Sequence, residues 1–343
     1  MADAASRADR SGANPLVTRK RVVVAALFAF LFLLPPVAEL LGAPYQVSLF
    51  TRVIIFALAA VSLDLILGYG GMISFGHAAY FGVGGFTVGI LYFHAFEGWP
   101  VISWPFAIPG TESMLVALPL AAVLGGFFAL LIGAICLRTT GVYFIMITLA
   151  FAQMLYFLFV SMERYGGDDG LALFGRSRFP GLDLDDDVTF YYFCLAFLVV
   201  FVIIAHRLVN SRFGMVVRGS KSNERRMQAL GFPTYRYKLA CFVIAGSGAA
   251  VAGTLMVNQT TFLSPAMMHW VKSADLLIMV ILGGMGTLFG PIIGAGVLLL
   301  LEETLASHTE HWKLVLGPIL IVVVLFAHAG IYGLLAGRGG RDG

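Results

Sequence analysis

Two side chains in this sequence have the types to pass a proton through an apolar medium: Asp64 and His77. Each lies in a long apolar run, where an ionisable group costs about 2.5–3.5 kcal/mol on insertion scales. A group placed there has a task or a partner. One task is the proton relay of an ion-coupled carrier. The other is a hydrogen bond that locks two helices together. Gln153, also amid apolar residues, is a further polar candidate for lining a solute path. Asp275, Glu302 and Glu303 sit at the ends of apolar runs and read as interfacial. No paired acids, nucleophile with a base, or metal-ligand spacing occurs, so neither catalytic residues nor metal ligands are assigned. Cys136, Cys194 and Cys241 stand singly in apolar runs, as small buried hydrophobes do. The stretch 214–222, GMVVRGSKS, has part of a phosphate-loop pattern. Ser220 separates Gly219 from Lys221 where that motif joins Gly to Lys, and no strand precedes it. No nucleotide or other cofactor is therefore expected on this chain.

Glycine carries a second signal. Residues 68–91 read GYGGMISFGHAAYFGVGGFTVGIL. Small residues let helix backbones approach closely. Dense glycine also permits a broken helix whose free backbone groups line a pathway. Gly70, Gly71, Ser74 and His77 are the candidates for such a path, with Gln153 and Asp64. A weak echo follows later. Ser62-Leu63-Asp64-Leu65, then Gly70-Gly71-Met72 and Phe75-Gly76, has a counterpart in Ser273-Ala274-Asp275-Leu276, then Gly283-Gly284-Met285 and Phe289-Gly290. A duplicated transporter architecture produces such repeats, with the site between halves.

The elements that position these residues follow from composition. Of 343 residues, 59% are hydrophobic and 12% charged, against about 25% charged in a soluble domain. Mean hydropathy is +0.90. That excludes a water-soluble enzyme, a disulfide scaffold and a disordered chain. A spanning helix needs about 20 apolar residues. Ten candidates fall near 22–41, 53–69, 71–93, 113–136, 141–160, 188–206, 239–257, 274–289, 291–306 and 312–336. The pair over 274–306 is glycine-rich and short, so it reads either as two spans or as a broken, re-entrant hairpin. Arg19-Lys20-Arg21 before an apolar run is how a signal peptide begins. The run continues past Pro35-Pro36 to Leu41 and further spans follow, so an uncleaved first helix is expected. Continuous rather than alternating apolar runs exclude a strand-built barrel. The fold class is an all-α polytopic membrane protein.

Charge gives the orientation. Lys and Arg favour cytoplasmic loops. Arg7, Arg10, Arg19, Lys20 and Arg21 place the tail 1–21 inside. The transmembrane domain then covers 22–336 and the tail 337–343, with Arg338 and Arg341, returns inside. The 161–188 loop, with seven acids (Glu163, Asp168, Asp169, Asp183, Asp185, Asp186 and Asp187), falls outside. The 207–238 loop falls inside, with Glu224 its only acid among eight basic residues. In it Asn223 suits a helix N-cap, Glu224 the first turn and Gly231 the end, with Pro233 beyond. A short helix across the cytoplasmic face is predicted, held by lipid head groups or docking a soluble partner. A net charge of +3 gives no reason to expect nucleic acid.

Four runs, in order, carry a family resemblance: GYGGMISFGHAAYFGVGG from 68, LRTTGVYFIMITLAFAQML at 137–155, NERRMQALGFPTYRYKLACFVIAG at 223–246 and LGGMGTLFGPIIGAG at 282–296. Together they resemble LivM-type permeases, the membrane subunits of branched-chain amino acid ABC importers, over about 50–335. The third run resembles that family's cytoplasmic coupling segment. Met72 stands where the family often has Gln, and Arg225 and Arg226 where it often has small residues.

The resemblance implies an importer in a bacterial inner membrane, with an architecture similar to the ten-helix class that includes the vitamin B12 permease. It implies a second, LivH-like permease, two cytoplasmic ATPases holding ATP and Mg, and a periplasmic binding protein, all amid membrane lipids. It also implies that Glu224, Arg225, Arg226, Ala229, Leu230 and Gly231 couple the chain to an ATPase. Two alternatives stay open: the same class importing urea or a short amide, and a stand-alone ion-coupled carrier using Asp64 and His77.

Overall fold

Where no water reaches the backbone, each N–H and C=O must be satisfied within its own segment, and the helix does this locally. The computed structural model bears this out for the residues it describes, which are 15–102, 108–309, 311–326, 330–335 and 337. Arg7, Arg10, Arg338 and Arg341, used above for orientation, lie outside them. The chain runs through α1 (Pro15–Leu40), α2 (Pro44–Asp64), α3 (His77–Glu97), α4 (Met114–Cys136), α5 (Val142–Val160) and α6 (Asp187–Val209). Two short helices follow, α7 (Arg212–Ser222) and α8 (Glu224–Ala229). Then come α9 (Thr234–Thr260), α10 (Trp270–Gly283), α11 (Gly290–His308), α12 (Trp312–Phe326) and α13 (Gly330–Leu335).

Eight of these helices are long and apolar enough to cross a membrane. The expected span at 274–289 corresponds to α10, of 14 residues; at 1.5 Å per residue it reaches about 21 Å, short of a core about 30 Å thick. The expected span at 312–336 contains α12 and α13, and its residues 327–329 and 336 lie outside the described ones. The 274–306 pair is thus one short helix and one full-length helix joined by a glycine-rich turn. The second span begins at Pro44, not 53. The third begins at His77, not 71, because residues 70–76 are not helical.

Packing centres on α2 and α9. The segment Pro44–Tyr69 is almost wholly buried, and α9 packs against α2, α3 and α4. The close approach depends on missing side chains. A Cβ on Gly84 would strike the Ala250 carbonyl, and one on Gly253 the Phe81 carbonyl. Thr254 adds an interhelical hydrogen bond, its hydroxyl donating to the Gly84 carbonyl at 3.0 Å.

The first helix shows how a local defect is repaired by a distant element. Pro35 and Pro36 lack the N–H groups that would reach the Leu31 and Phe32 carbonyls four residues back. Consecutive tyrosines of α6 take those carbonyls. Tyr191 donates to Leu31 at 2.6 Å and Tyr192 to Phe32 at 3.0 Å.

One cation gathers several contacts in the acidic 161–188 loop. The Arg176 guanidinium donates to the carbonyls of Leu184, Asp185 and Asn258, pairs with Asp187 at 2.5 Å and lies over the Phe190 ring. Two-residue strands β3 (Leu171–Ala172) and β4 (Phe262–Leu263) pair antiparallel beside it, after β1 (Pro100–Ile102) and β2 (Ile108–Pro109) pair earlier in the chain. The loop is thereby pinned to the end of α9.

Candidate functional site

The end of α2 is where the regular structure gives way. Its final turn, Leu65–Tyr69, widens to a π-turn, an irregularity frequent at functional sites. Gly71, at φ +69°, then turns the chain out of the helix, in a conformation that glycine alone adopts without steric cost. Its N–H bonds the Leu67 carbonyl, while Met72 reaches back to Ile66.

Three other elements hold the break before α3. The Ser62 hydroxyl of α2 hydrogen-bonds His77 Nε2 at 2.8 Å. Ser273 of α10 accepts the Ala78 N–H at 2.9 Å, and Thr148 of α5 accepts the Phe75 N–H at 3.3 Å. Ser74 turns back to accept the Gly76 N–H at 3.2 Å. The buried Asp64 accepts, on Oδ1, the N–H of Gly286 at 2.9 Å. Gly286, at φ +73°, lies in the turn between α10 and α11. The two glycine-rich turns touch, since a Cβ on Gly68 would strike both Asp64 and the Gly286 backbone.

The sequence echo therefore has a structural counterpart. In each half a serine-bearing helix runs into a glycine-rich turn, and a new helix opens at a Phe-Gly pair. Both serines converge on the start of α3. The aspartates diverge: Asp64 is buried against Gly286, while Asp275 is half-buried and pairs with Lys272 at 3.4 Å.

The basic loop forms the predicted short helix. Asn223 Oδ1 accepts the Arg226 N–H at 2.9 Å, capping α8. Gly231, at φ +87°, ends it. The Gly231 N–H bonds Gln228 and the Phe232 N–H bonds Met227, the paired closure of a Schellman motif. Arg225, Arg226, Ala229 and Leu230 are exposed, Leu230 by 66%. Phe232, two residues on, is also exposed. Glu224 fastens α8 to the start of α9, accepting from Lys238 Nζ at 2.7 Å and the Thr234 hydroxyl at 3.1 Å. The preceding stretch 212–222 is the helix α7, capped by Ser211, so the phosphate-loop fragment has no loop to form.

One bond joins the basic loop to the helix break. Lys221, in the last turn of α7, donates to the Gly68 carbonyl at 2.6 Å. Gly68 belongs to the π-turn, where a carbonyl has lost its regular donor. A cavity of about 370 Å³ opens at this junction. Gly70 and Gly71 line it with Lys221, Glu224 and Lys238, and with Thr139 and Thr140 from the α4–α5 connection.

The candidate path residues are thus divided. Gly70 and Gly71 reach the cavity, but Ser74, His77 and Asp64 are buried in contacts between helices. Asp64 and His77 bond different partners rather than each other, and Asp64 Oδ2 has no hydrogen-bond partner among the described residues. Gln153 stands apart on α5, its Nε2 buried without an acceptor among the described residues. Sequence reading missed Lys221, Lys238, Thr148 and Gly286 as members of this junction. Only Ser62 and Ser273 carried a usable signal, their equivalent places in the echo.

Asp186 lies outside the membrane segments, at the start of α6. It caps that helix, and the hydrogen bonds from the Thr189 hydroxyl and N–H hold it below the ordinary aspartate range.

Comparison with known proteins gives a consistent result. The family model for the branched-chain amino acid transport system permease component matches residues 45–325. The chain is 26% identical over 331 residues to the high-affinity branched-chain amino acid transport system permease protein LivM of Salmonella typhimurium, covering 88% of this chain and 74% of that relative. LivM of Escherichia coli matches to the same extent. Over 126 residues, 36% of this chain, it is 32% identical to LivH of Escherichia coli, covering 40% of that protein. No solved structure matches.

Proposed function

Since the chain belongs to the branched-chain amino acid transport permease family, we propose that it forms half of the solute path of an ATP-driven importer for branched-chain or related amino acids. It is a multi-pass membrane transport subunit, and LivH-type relatives beside LivM-type ones imply a second permease as its partner. Two ATPases dock on the inner face in this reading, holding ATP and Mg, and a soluble binding protein docks outside. The inner membrane of a bacterium, with both termini cytoplasmic, is the matching location.

The observation that carries the proposal is the connection from α8 to the break in α2. An exposed helix with both ends capped and Leu230 uncovered is suited to a partner's groove. Glu224 ties it to α9, and through α7 Lys221 ties it to the π-turn. When the ATPases close on ATP, motion imposed at Arg225, Arg226, Ala229 and Leu230 passes through Gly231 and Glu224 to these bonds. The glycine-rich turns at 70–76 and 284–289 then shift, switching access at the junction lined by Gly70 and Gly71. Ser74, His77 and Asp64 shape the path by fixing the helices around it, and Gln153 offers a polar group to the second permease or the solute. Specificity lies mainly in the binding protein in this reading.

Nothing observed favours the alternatives. A stand-alone carrier needs proton exchange between Asp64 and His77, whose hydrogen bonds go elsewhere. The test is affinity purification of the chain from its own host, followed by leucine uptake in proteoliposomes. Co-purifying ATPases and uptake that requires ATP and the binding protein are expected. Purification alone, with uptake driven by an ion gradient and no ATP, overturns the proposal.

A further inference from the structure

The cavity beside the break is lined by the coupling residues Lys221 and Glu224 together with apolar and hydroxyl groups that the coupling role leaves free. At about 370 Å³ it falls within the size range of small-molecule sites, which begins at about 300 Å³. Its walls include Met72, Leu137, Phe144 and Ile145, a surface for a branched aliphatic group. They also include two ammonium groups and one carboxylate, so the lining itself carries a net positive charge of one, with the buried Asp64 behind Gly68 as the nearest further acid. Lys238 is neutralised by Glu224 at 2.7 Å. Lys221 makes no ion pair among the described residues; its one hydrogen bond there goes to the neutral Gly68 carbonyl at 2.6 Å. An ammonium carries three N–H donors, which leaves Lys221 with donors to spare at the cavity. Thr139 and Thr140 add hydroxyls, and Glu224 has unused acceptor capacity for a cationic group.

We propose that this cavity binds a small amphipathic amino acid, with its carboxylate on Lys221, its ammonium toward Glu224 and its aliphatic side chain against Phe144 and Ile145. The proposal rests on the importer reading and gives it a solute contact inside the permease, separate from the binding protein. A free carboxylate beside a cation strengthens both hydrogen bond and charge interaction. An aliphatic amine of the same shape would meet Lys221 with like charge and be rejected.

The experiment is equilibrium binding of labelled leucine to the purified permease–ATPase complex in phosphatidylcholine nanodiscs, without nucleotide and without the binding protein. The expected result is saturable binding displaced by 4-methylpentanoate and not by isoamylamine. Lys221→Met removes a charge-assisted bond and should weaken binding about tenfold or more. Ile145→Trp, which fills the apolar part of the cavity and leaves Lys221 in place, should do likewise. ATP-driven uptake by the wild-type complex with the binding protein restored is measured in parallel. Uptake without leucine binding, or binding that both substitutions leave unchanged, overturns this inference alone. Absence of ATP-driven uptake overturns the importer reading beneath it.

Discussion

Tyr191 and Tyr192 show what a single side chain contributes when no water is at hand. Each serves a carbonyl that a proline has left free, 160 residues away in sequence. An unsatisfied carbonyl away from water costs about 1–3 kcal/mol. Tyr191→Phe should therefore lower stability by about 1–2 kcal/mol, read from denaturant unfolding in micelles. Pro35→Ala supplies the missing N–H, so in its presence Tyr191→Phe should cost much less. An equal cost in both backgrounds would show that the tyrosine stabilises through packing alone. None of this was legible in the sequence. Pro35-Pro36 is visible as a defect, but nothing local says which residues repair it. Lys221 was hidden for the same reason: it reads as one more basic residue in a basic loop, and its acceptor exists only because α2 ends in a π-turn.

At the level of elements, capping was more legible than packing. Asn223, Glu224, Gly231 and Pro233 announced α8 and its limits, because caps are made by residues within one turn of each other. The helix α7 was not foreseen. Its two glycines, Gly214 and Gly219, weaken helix propensity, and its formation depends on burying Val216 and Val217. The third span was placed six residues early because glycine-rich apolar sequence reads as helix by hydropathy alone; the break at 70–76 depends on Ser62, Ser273 and Thr148 from three other elements. The cap on α8 can be tested directly. Asn223→Ala should cost about 1 kcal/mol of local stability and speed hydrogen exchange at the Arg226 amide, its donor partner. Exchange at Arg226 unchanged from wild type would mean that α8 is held by Glu224 and the Schellman closure alone.

For the whole molecule, the sequence made the membrane fold evident and the number of full crossings less so. Among the described residues eight helices are long and apolar enough to cross, and α10 is too short to span unaided. Windowed hydropathy counts apolar residues but not where a glycine turn stops the helix. Orientation follows from charge in this account, and introduced cysteines test it cleanly because Cys136, Cys194 and Cys241 are all buried. In intact spheroplasts, Asp169→Cys should react with an impermeant maleimide and Arg225→Cys should not, until the membrane is opened. The reverse pattern would invert the topology and remove α8 from the ATPases.

The central claim is that α8 transmits motion through Lys221 to the break in α2. The most direct measurement is leucine transported per ATP hydrolysed in proteoliposomes, for wild type, Gly231→Trp and Lys221→Met. Gly231 holds a left-handed conformation that costs other residues about 1–2 kcal/mol, and Lys221 supplies the bond to Gly68. Both variants should assemble with the ATPases and hydrolyse ATP while transporting several-fold less leucine per ATP. Assembled variants that keep the wild-type ratio would contradict the account.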